Sequence, residues 1–213
     1  MENYQPVVYL ADLAILLASL EVSRFAVIGT SLGGLLAMML AASQPAKIAG
    51  IVLNDIGPEV DPVGAARIRA YAGRLPAVAG WSDAVAQLQE VFGAAWPGLP
   101  AQRWALLARR CYRADPDRTL RMDADPMIGE AMRAAPVTPA PDLWPLWRAL
   151  KTMPVLCLRG AHSDILSAAT LARMQHEKPD LETLTVANRG HVPLLDEPGC
   201  LAAIDAFLAR VFP

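Results

Sequence analysis

Leu10, Leu13, Leu17 and Leu20 recur at three- and four-residue intervals, the spacing of an amphipathic helix that lays one apolar stripe on a sheet. The next apolar run, Phe25-Ala26-Val27-Ile28, reads as a short strand, and Leu35-Leu36-Ala37-Met38-Met39-Leu40 as a helix behind it. Residues 48–53 form a second continuous apolar run, the pattern of a parallel strand buried on both faces, and Gly57-Pro58 stops it. From about residue 59 to 151 no strand-length β-branched run occurs. Helix-like stretches such as residues 84–92 and 102–112 alternate with Trp96-Pro97-Gly98 and other Pro-rich joints. The strand rhythm resumes at residues 155–160, followed by a helix near 168–176, a strand around 181–186 and a closing helix from about 201 to 211. The pattern predicts an α/β fold with a mostly parallel sheet flanked by helices, its core at residues 1–57 and 152–213 and a helical insertion at 58–151.

Composition narrows the setting. With 213 residues and 54% hydrophobic content the chain can bury a large core. A net charge of −2, with the 19 basic residues interspersed among acids, leaves no basic stripe for nucleic acid. Asp12 and Glu21 break the N-terminal apolar stretch and Gln44 closes the next, so nothing reaches the roughly 20 apolar residues of a membrane span. The start Met1-Glu2-Asn3 lacks the basic residues of a secretory signal, which makes the cytoplasm the expected location. The 3 cysteines, Cys111, Cys157 and Cys200, are odd in number and lack metal-like spacing, against a disulfide framework or zinc site. Cys157, inside an apolar run, reads as a core thiol.

The chemistry concentrates where strand gives way to helix. Gly29-Thr30-Ser31-Leu32-Gly33 is G-x-S-x-G between a strand and a helix, the context in which a sharp turn presents the serine Oγ at the end of a sheet. The glycines two before and two after the serine are read as leaving room for that turn. In a chain with 14 glycines the bare pattern arises by chance only about 0.03 times. A serine nucleophile needs a base to take its proton and an acid to hold the base. His191, in Asn188-Arg189-Gly190-His191, leaves the last predicted strand at the C-terminal end of the sheet, where open α/β sheets place their sites. His176 sits among charges near a helix end and reads as a surface residue, and His162 is too close in sequence to Asp164 to be oriented by it. Asp164, just past the third predicted strand, is expected to orient His191, giving the chain order Ser31, Asp164, His191. Asp55 is the rival acid, since it also follows a strand at that end and the polar pair Asn54-Asp55 serves no core. Trp144 and Trp147 either wall an apolar substrate pocket or pack helices.

With these residues in place the chain resembles the α/β-hydrolase superfamily over essentially its whole length, the insertion standing where that family carries a helical cap. The resemblance rests on Gly29-Thr30-Ser31-Leu32-Gly33-Gly34, on Arg159-Gly160 with Ser163-Asp164, and on Gly190-His191-Val192-Pro193-Leu194-Leu195-Asp196-Glu197-Pro198. It implies a Ser-His-Asp hydrolase of carboxylic esters, lactones, thioesters or, less often, activated carbon–carbon bonds. Ser31 argues against the dehalogenase and epoxide-hydrolase branches, which carry Asp at that position. The backbone N–H of Leu32 would be one oxyanion-hole donor.

Family members precede the elbow with four more strands, and a loop among them supplies the second donor. This chain starts inside the helix before the elbow strand, so the expected fold is N-terminally incomplete, with Met1 internal to a longer protein. The sheet edge near residues 26–29 would then be open, a surface for self-association. The resulting expectation is a cytoplasmic serine esterase or lactonase acting on a small-molecule acyl substrate through Ser31, His191 and Asp164, with no metal or organic cofactor and no nucleic-acid or membrane partner. The competing reading is a weak or inactive truncated relative that lacks the second oxyanion donor and serves as an interaction module.

Overall fold

Two runs in which every residue is buried, Ile48–Asn54 and Val155–Gly160, form the centre of the sheet. The computed structural model describes residues 2–135 and 141–213. In chain order the elements are α1 (Pro6–Ser19), β1 (Phe25–Thr30), α2 (Leu32–Ser43), β2 (Ile48–Asn54), α3 (Pro62–Tyr71), α4 (Trp81–Phe92) and α5 (Ala101–Cys111). They continue with β3 (Tyr112–Ala114), β4 (Leu120–Met122), α6 (Pro126–Ala134), α7 (Trp144–Ala149), β5 (Val155–Gly160), α8 (Ala168–Glu177), β6 (Glu182–Val186) and α9 (Pro198–Val211).

The chain divides into two units, one of residues 5–64 and 139–213, the other of residues 1–4 and 65–138. The division falls inside the expected insertion of 58–151, because residues 58–64 and the segment carrying α7 belong with the sheet.

In the sheet unit, β1, β2, β5 and β6 are parallel and ordered β1-β2-β5-β6. Parallel strands covered by helices on both faces need no polar alternation, which is why β2 and β5 run apolar until Asn54 and Arg159 near their C-terminal ends. On one face Val52, Leu156 and Leu158 meet Cys200, Ile204, Phe207 and Val211 of α9. Gly50 makes the close approach possible, since a Cβ there would stand 2.7 Å from the Phe207 ring. On the other face α2 presses so near that a Cβ on Gly34 would meet Ile56 Cγ2 at 2.3 Å and Leu53 Cδ2 at 3.3 Å.

β1 pairs only with β2, and among the described residues no strand lies along its other edge. Leu13, Leu17, Phe25, Val27, Leu36 and Leu40 line an apolar groove of about 380 Å³ beside it, and α1 has no buried residue.

Among its described residues the second unit is helical with one exception to the strand-free expectation: β3 and β4 form a two-stranded antiparallel pair, extended by a bridge from Val78 to Leu120. Each strand is three residues long and laced with charge, Arg113 pairing with Asp123 and Arg121 with Asp115. No apolar run therefore announces them. The unit's core is aromatic: Phe92 stacks on Trp96 at 5.1 Å, Trp96 meets Trp104 at 5.5 Å, and Tyr71 meets Phe92 edge-on.

Phe207 is fully buried, so Phe207→Ala is expected to lower unfolding free energy by about 3–5 kcal/mol. Ile15→Ala, at a side chain 70% exposed, should stay within about 0.5 kcal/mol of the parent. Urea denaturation of the two variants checks both values.

Candidate active site

The turn from β1 into α2 leaves Ser31 at φ 50° and ψ −116°, a left-handed conformation costly for any side chain, about 1–3 kcal/mol. It persists because the surroundings fix it. Ser31 N donates to Asn54 O at 3.1 Å, while Ser31 O accepts from the amides of Gly34 and Leu35.

Steric demand falls on Gly29 and Gly34: a Cβ on Gly29 would lie 2.4 Å from Gly33 O and 2.6 Å from Gly34 Cα. Gly33, expected to share that burden, would meet nothing within 4 Å. Leu32 opens α2, so its N–H has no intrahelical acceptor and lies at the positive end of the helix, beside Ser31.

His191 reaches the serine from the loop after β6. Its Nε2 is 3.0 Å from Ser31 Oγ and its Nδ1 is 2.8 Å from Asp55 Oδ2. A carboxylate only accepts, so Nδ1 carries the proton and Nε2 is left to receive the serine hydroxyl. Asp55 is completely buried and His191 nearly so. The Asp55 carboxylate also accepts from Gly160 N at 2.8 Å, on Oδ1, and from Ser163 Oγ at 2.6 Å, on Oδ2.

The residue expected to hold His191, Asp164, is therefore replaced in that position by its rival Asp55. Thr30 and Asn54 are register partners on adjacent strands, so the residues that follow them, Ser31 and Asp55, emerge side by side. Asp164 comes four residues after β5 ends, and its carbonyl packs where a Cβ on Gly64 would be, 2.0 Å away. The Thr30–Asn54 pairing is a long-range contact that no local motif encodes.

Several supporting residues were given no role of their own by the sequence. Asn54 Nδ2 donates to Thr30 Oγ1 at 3.1 Å and to Pro193 O at 3.0 Å, tying the elbow strand to the histidine loop. Its Oδ1 is buried without a partner in the structure. The one hint in the sequence is a polar residue ending an otherwise apolar strand. Gly160 lets the histidine loop cross the end of β5, since a Cβ there would be 2.4 Å from Gly190 O and 2.6 Å from Arg189 O.

Arg189 Nε meets Glu197 Oε1 at 2.5 Å, and Leu194 N donates to the same oxygen at 3.2 Å. Burial raises the Glu197 carboxyl, but the bonds from Arg189, its own amide and Leu194, with the Arg189 charge, outweigh it and hold the group below the usual range.

The remaining candidates fall elsewhere. His162 and His176 are exposed. Trp144 and Trp147 are buried in α7, where they pack the sheet unit, and Arg173 lies 3.6 Å over the Trp144 ring. Cys157 is buried beside Asp55, and burial together with that carboxylate's charge drives its thiol upward against the pull of Arg159. Among the described residues no group of His, Cys, Asp and Glu could hold a metal, and no helix is long and apolar enough to cross a membrane.

The profile of the "Alpha/beta hydrolase family" matches residues 2–203. The chain belongs to the alpha/beta hydrolase family. A solved alpha/beta hydrolase from Novosphingobium aromaticivorans is 46% identical, superposes with a TM-score of 0.92, and is matched over 98% of this chain and 73% of its own. The 3-hydroxybutyrate-oligomer hydrolase of Cupriavidus necator is 30% identical over 204 residues, 93% of this chain and 70% of the relative. The 2-(acetamidomethylene)succinate hydrolase of Mesorhizobium japonicum is 27% identical over 89% of this chain and 65% of its own length. This alpha/beta hydrolase thus spans about two thirds of the length of the curated relatives it matches.

Two predictions follow from the supporting groups. Gly29→Ala and Gly34→Ala should each disrupt the elbow and lower the melting temperature by several degrees, whereas Gly33→Ala should be neutral or stabilising by up to about 1 kcal/mol. Differential scanning fluorimetry separates the three.

Because the Glu197 pKa is depressed on folding, its contribution is present above the ordinary glutamate value of about 4.3 and is lost as pH falls through the lower folded value. Glu197→Gln should therefore be less stable than the parent at pH 7, with the gap closing below about pH 4. A gap that stays constant across denaturation curves taken at several pH values would show that the carboxylate charge does not hold the loop.

Proposed function

We propose that this hydrolase cleaves a carboxylic ester, lactone or similar acyl substrate through an acyl-enzyme on Ser31. The observation that carries the reading is the unbroken relay from Ser31 Oγ to His191 Nε2 at 3.0 Å and from His191 Nδ1 to Asp55 Oδ2 at 2.8 Å. Ser31 Oγ attacks the carbonyl carbon as His191 Nε2 takes its proton, and the carbonyl oxygen becomes an oxyanion facing the Leu32 N–H. When the intermediate collapses, the bond to the leaving oxygen breaks and the imidazolium returns the proton to it. Water then attacks the acyl-enzyme, its proton passing to His191 and back to Ser31, and the acid is released. Asp55, bonded to Nδ1, holds the ring in the tautomer that accepts at Nε2 and faces the imidazolium as it forms.

The relatives' names suggest the substrates to try first: esters of short hydroxy acids, after the 3-hydroxybutyrate-oligomer hydrolase, and small amido dicarboxylates, after the 2-(acetamidomethylene)succinate hydrolase.

The test is covalent labelling by a fluorophosphonate probe followed by hydrolysis of p-nitrophenyl esters. Ser31→Ala and His191→Ala should abolish labelling. Asp55→Asn should lower kcat by about 10²–10⁴ by imposing the wrong tautomer, and Asp164→Asn should stay within about threefold of the parent. A folded chain that never labels would sink the reading and leave the noncatalytic alternative. Equal losses from Asp55→Asn and Asp164→Asn would overturn the assignment of the acid.

A further inference from the structure

The loop after β5 carries a hydroxyl whose every bonding position is assigned. Ser163 Oγ accepts from the amides of Ile165 at 3.2 Å and Leu166 at 3.0 Å, and lies 2.6 Å from Asp55 Oδ2. A hydroxyl has one proton and two lone pairs. With both lone pairs taken by amides, its proton goes to Asp55, which can only accept.

The loop that presents Ser163 is itself pinned. Ser163 N donates to Gly160 O at 3.0 Å, His162 N to Arg189 O at 2.8 Å, and Asp61 N to Ile165 O at 2.9 Å. Arg159 Nε donates to Leu166 O at 2.7 Å, which turns the guanidinium toward the loop carbonyls. The hydroxyl cannot rotate to another acceptor without abandoning the two amides it caps.

We propose that Ser163 is a positioning residue for the Ser31–His191 pair, its committed proton fixing the rotation of the Asp55 carboxylate and withdrawing part of its charge from His191. The Gly160 amide holds Oδ1, so Oδ2 is the oxygen that Ser163 and His191 share. Two donors on one oxygen and one on the other define a single orientation of the carboxylate plane. The other ionisable neighbours do not compete for it: the Cys157 thiol stays protonated, and Arg159 is bonded to the loop backbone. This inference rests on the serine-hydrolase reading above.

Ser163→Ala removes the donor and leaves Oδ2 more electron-rich, which favours the imidazolium paired with it. On p-nitrophenyl ester hydrolysis the variant should lose about tenfold in kcat with KM within about twofold, and the half-maximal point of its acid limb should move to higher pH. Ser163→Thr, which keeps the hydroxyl, should restore both. The low-field proton signal of His191 Nδ1–H, read by NMR without substrate, should shift in Ser163→Ala and return in Ser163→Thr. If Ser163→Ala fails to fold, Ser163→Cys keeps a similar volume with a weaker donor and must show the same upward movement of the acid limb.

Parent-like kcat with an unmoved acid limb overturns the proposal. So does a lowered melting temperature with an unmoved limb, which would make Ser163 a brace of the loop alone. A parent enzyme that labels at Ser31 beside an indistinguishable Ser163→Ala removes this inference only. A parent that never labels removes the hydrolase mechanism and this inference together.

Discussion

A carboxylate withdrawn wholly from water must gather donors or be neutralised, and Asp55 gathers them from three separate segments of the sheet unit. The amide of Gly160 comes from the end of β5, the hydroxyl of Ser163 from the loop beyond it, and the imidazole of His191 from the loop after β6. The parallel register of β1 and β2 sets this carboxylate beside Ser31. Loss of any one donor would leave charge in a low-dielectric interior, so the loops cannot drift independently. The site is rigid for the same reason that the sheet end is rigid.

Much of the architecture could be read from local pattern, because parallel strands buried on both faces and helices with apolar stripes leave unmistakable runs. The strands containing Val52 and Leu156, the elbow at Ser31 and the loop bearing His191 all stand where hydrophobic periodicity and the glycine pattern place them. What escaped depends on neighbours distant in sequence. Asp164 stood in the more familiar segment, yet strand adjacency favours Asp55, and adjacency is a property of the assembled sheet. Gly33 belongs to the motif by spacing, but the sterically necessary glycines are Gly29 and Gly34, as the close approach of α2 to Leu53 and Ile56 determines. The β3–β4 pair was invisible because its strands are short, charged and held by Arg–Asp pairs instead of an apolar face.

The supporting network also accepts costs. Ser31 is held in a left-handed conformation, and Asn54 keeps one oxygen buried without a partner, each about 1–3 kcal/mol unfavourable. A fold selected for stability alone would not retain both at the point where the elbow, β2 and the histidine loop meet. Their concentration there is what a site organised for reaction displays. The compensating burial lies in the α9 face and in β2 and β5, whose residues are closed to solvent on both sides.

Cys157 lies at the centre of this arrangement on β5, made harder to ionise first by its complete burial and then by the charge of the Asp55 carboxylate. Burial shields its sulfur and disfavours the thiolate that reagents attack, and Cys200, also buried, is pushed up to about 12. Cys111, only partly buried, is the thiol such reagents meet first. Modification at Cys157 consequently counts openings of the sheet, so the chain contains its own chemical clock for the loss of the structure that aligns Ser31 with His191.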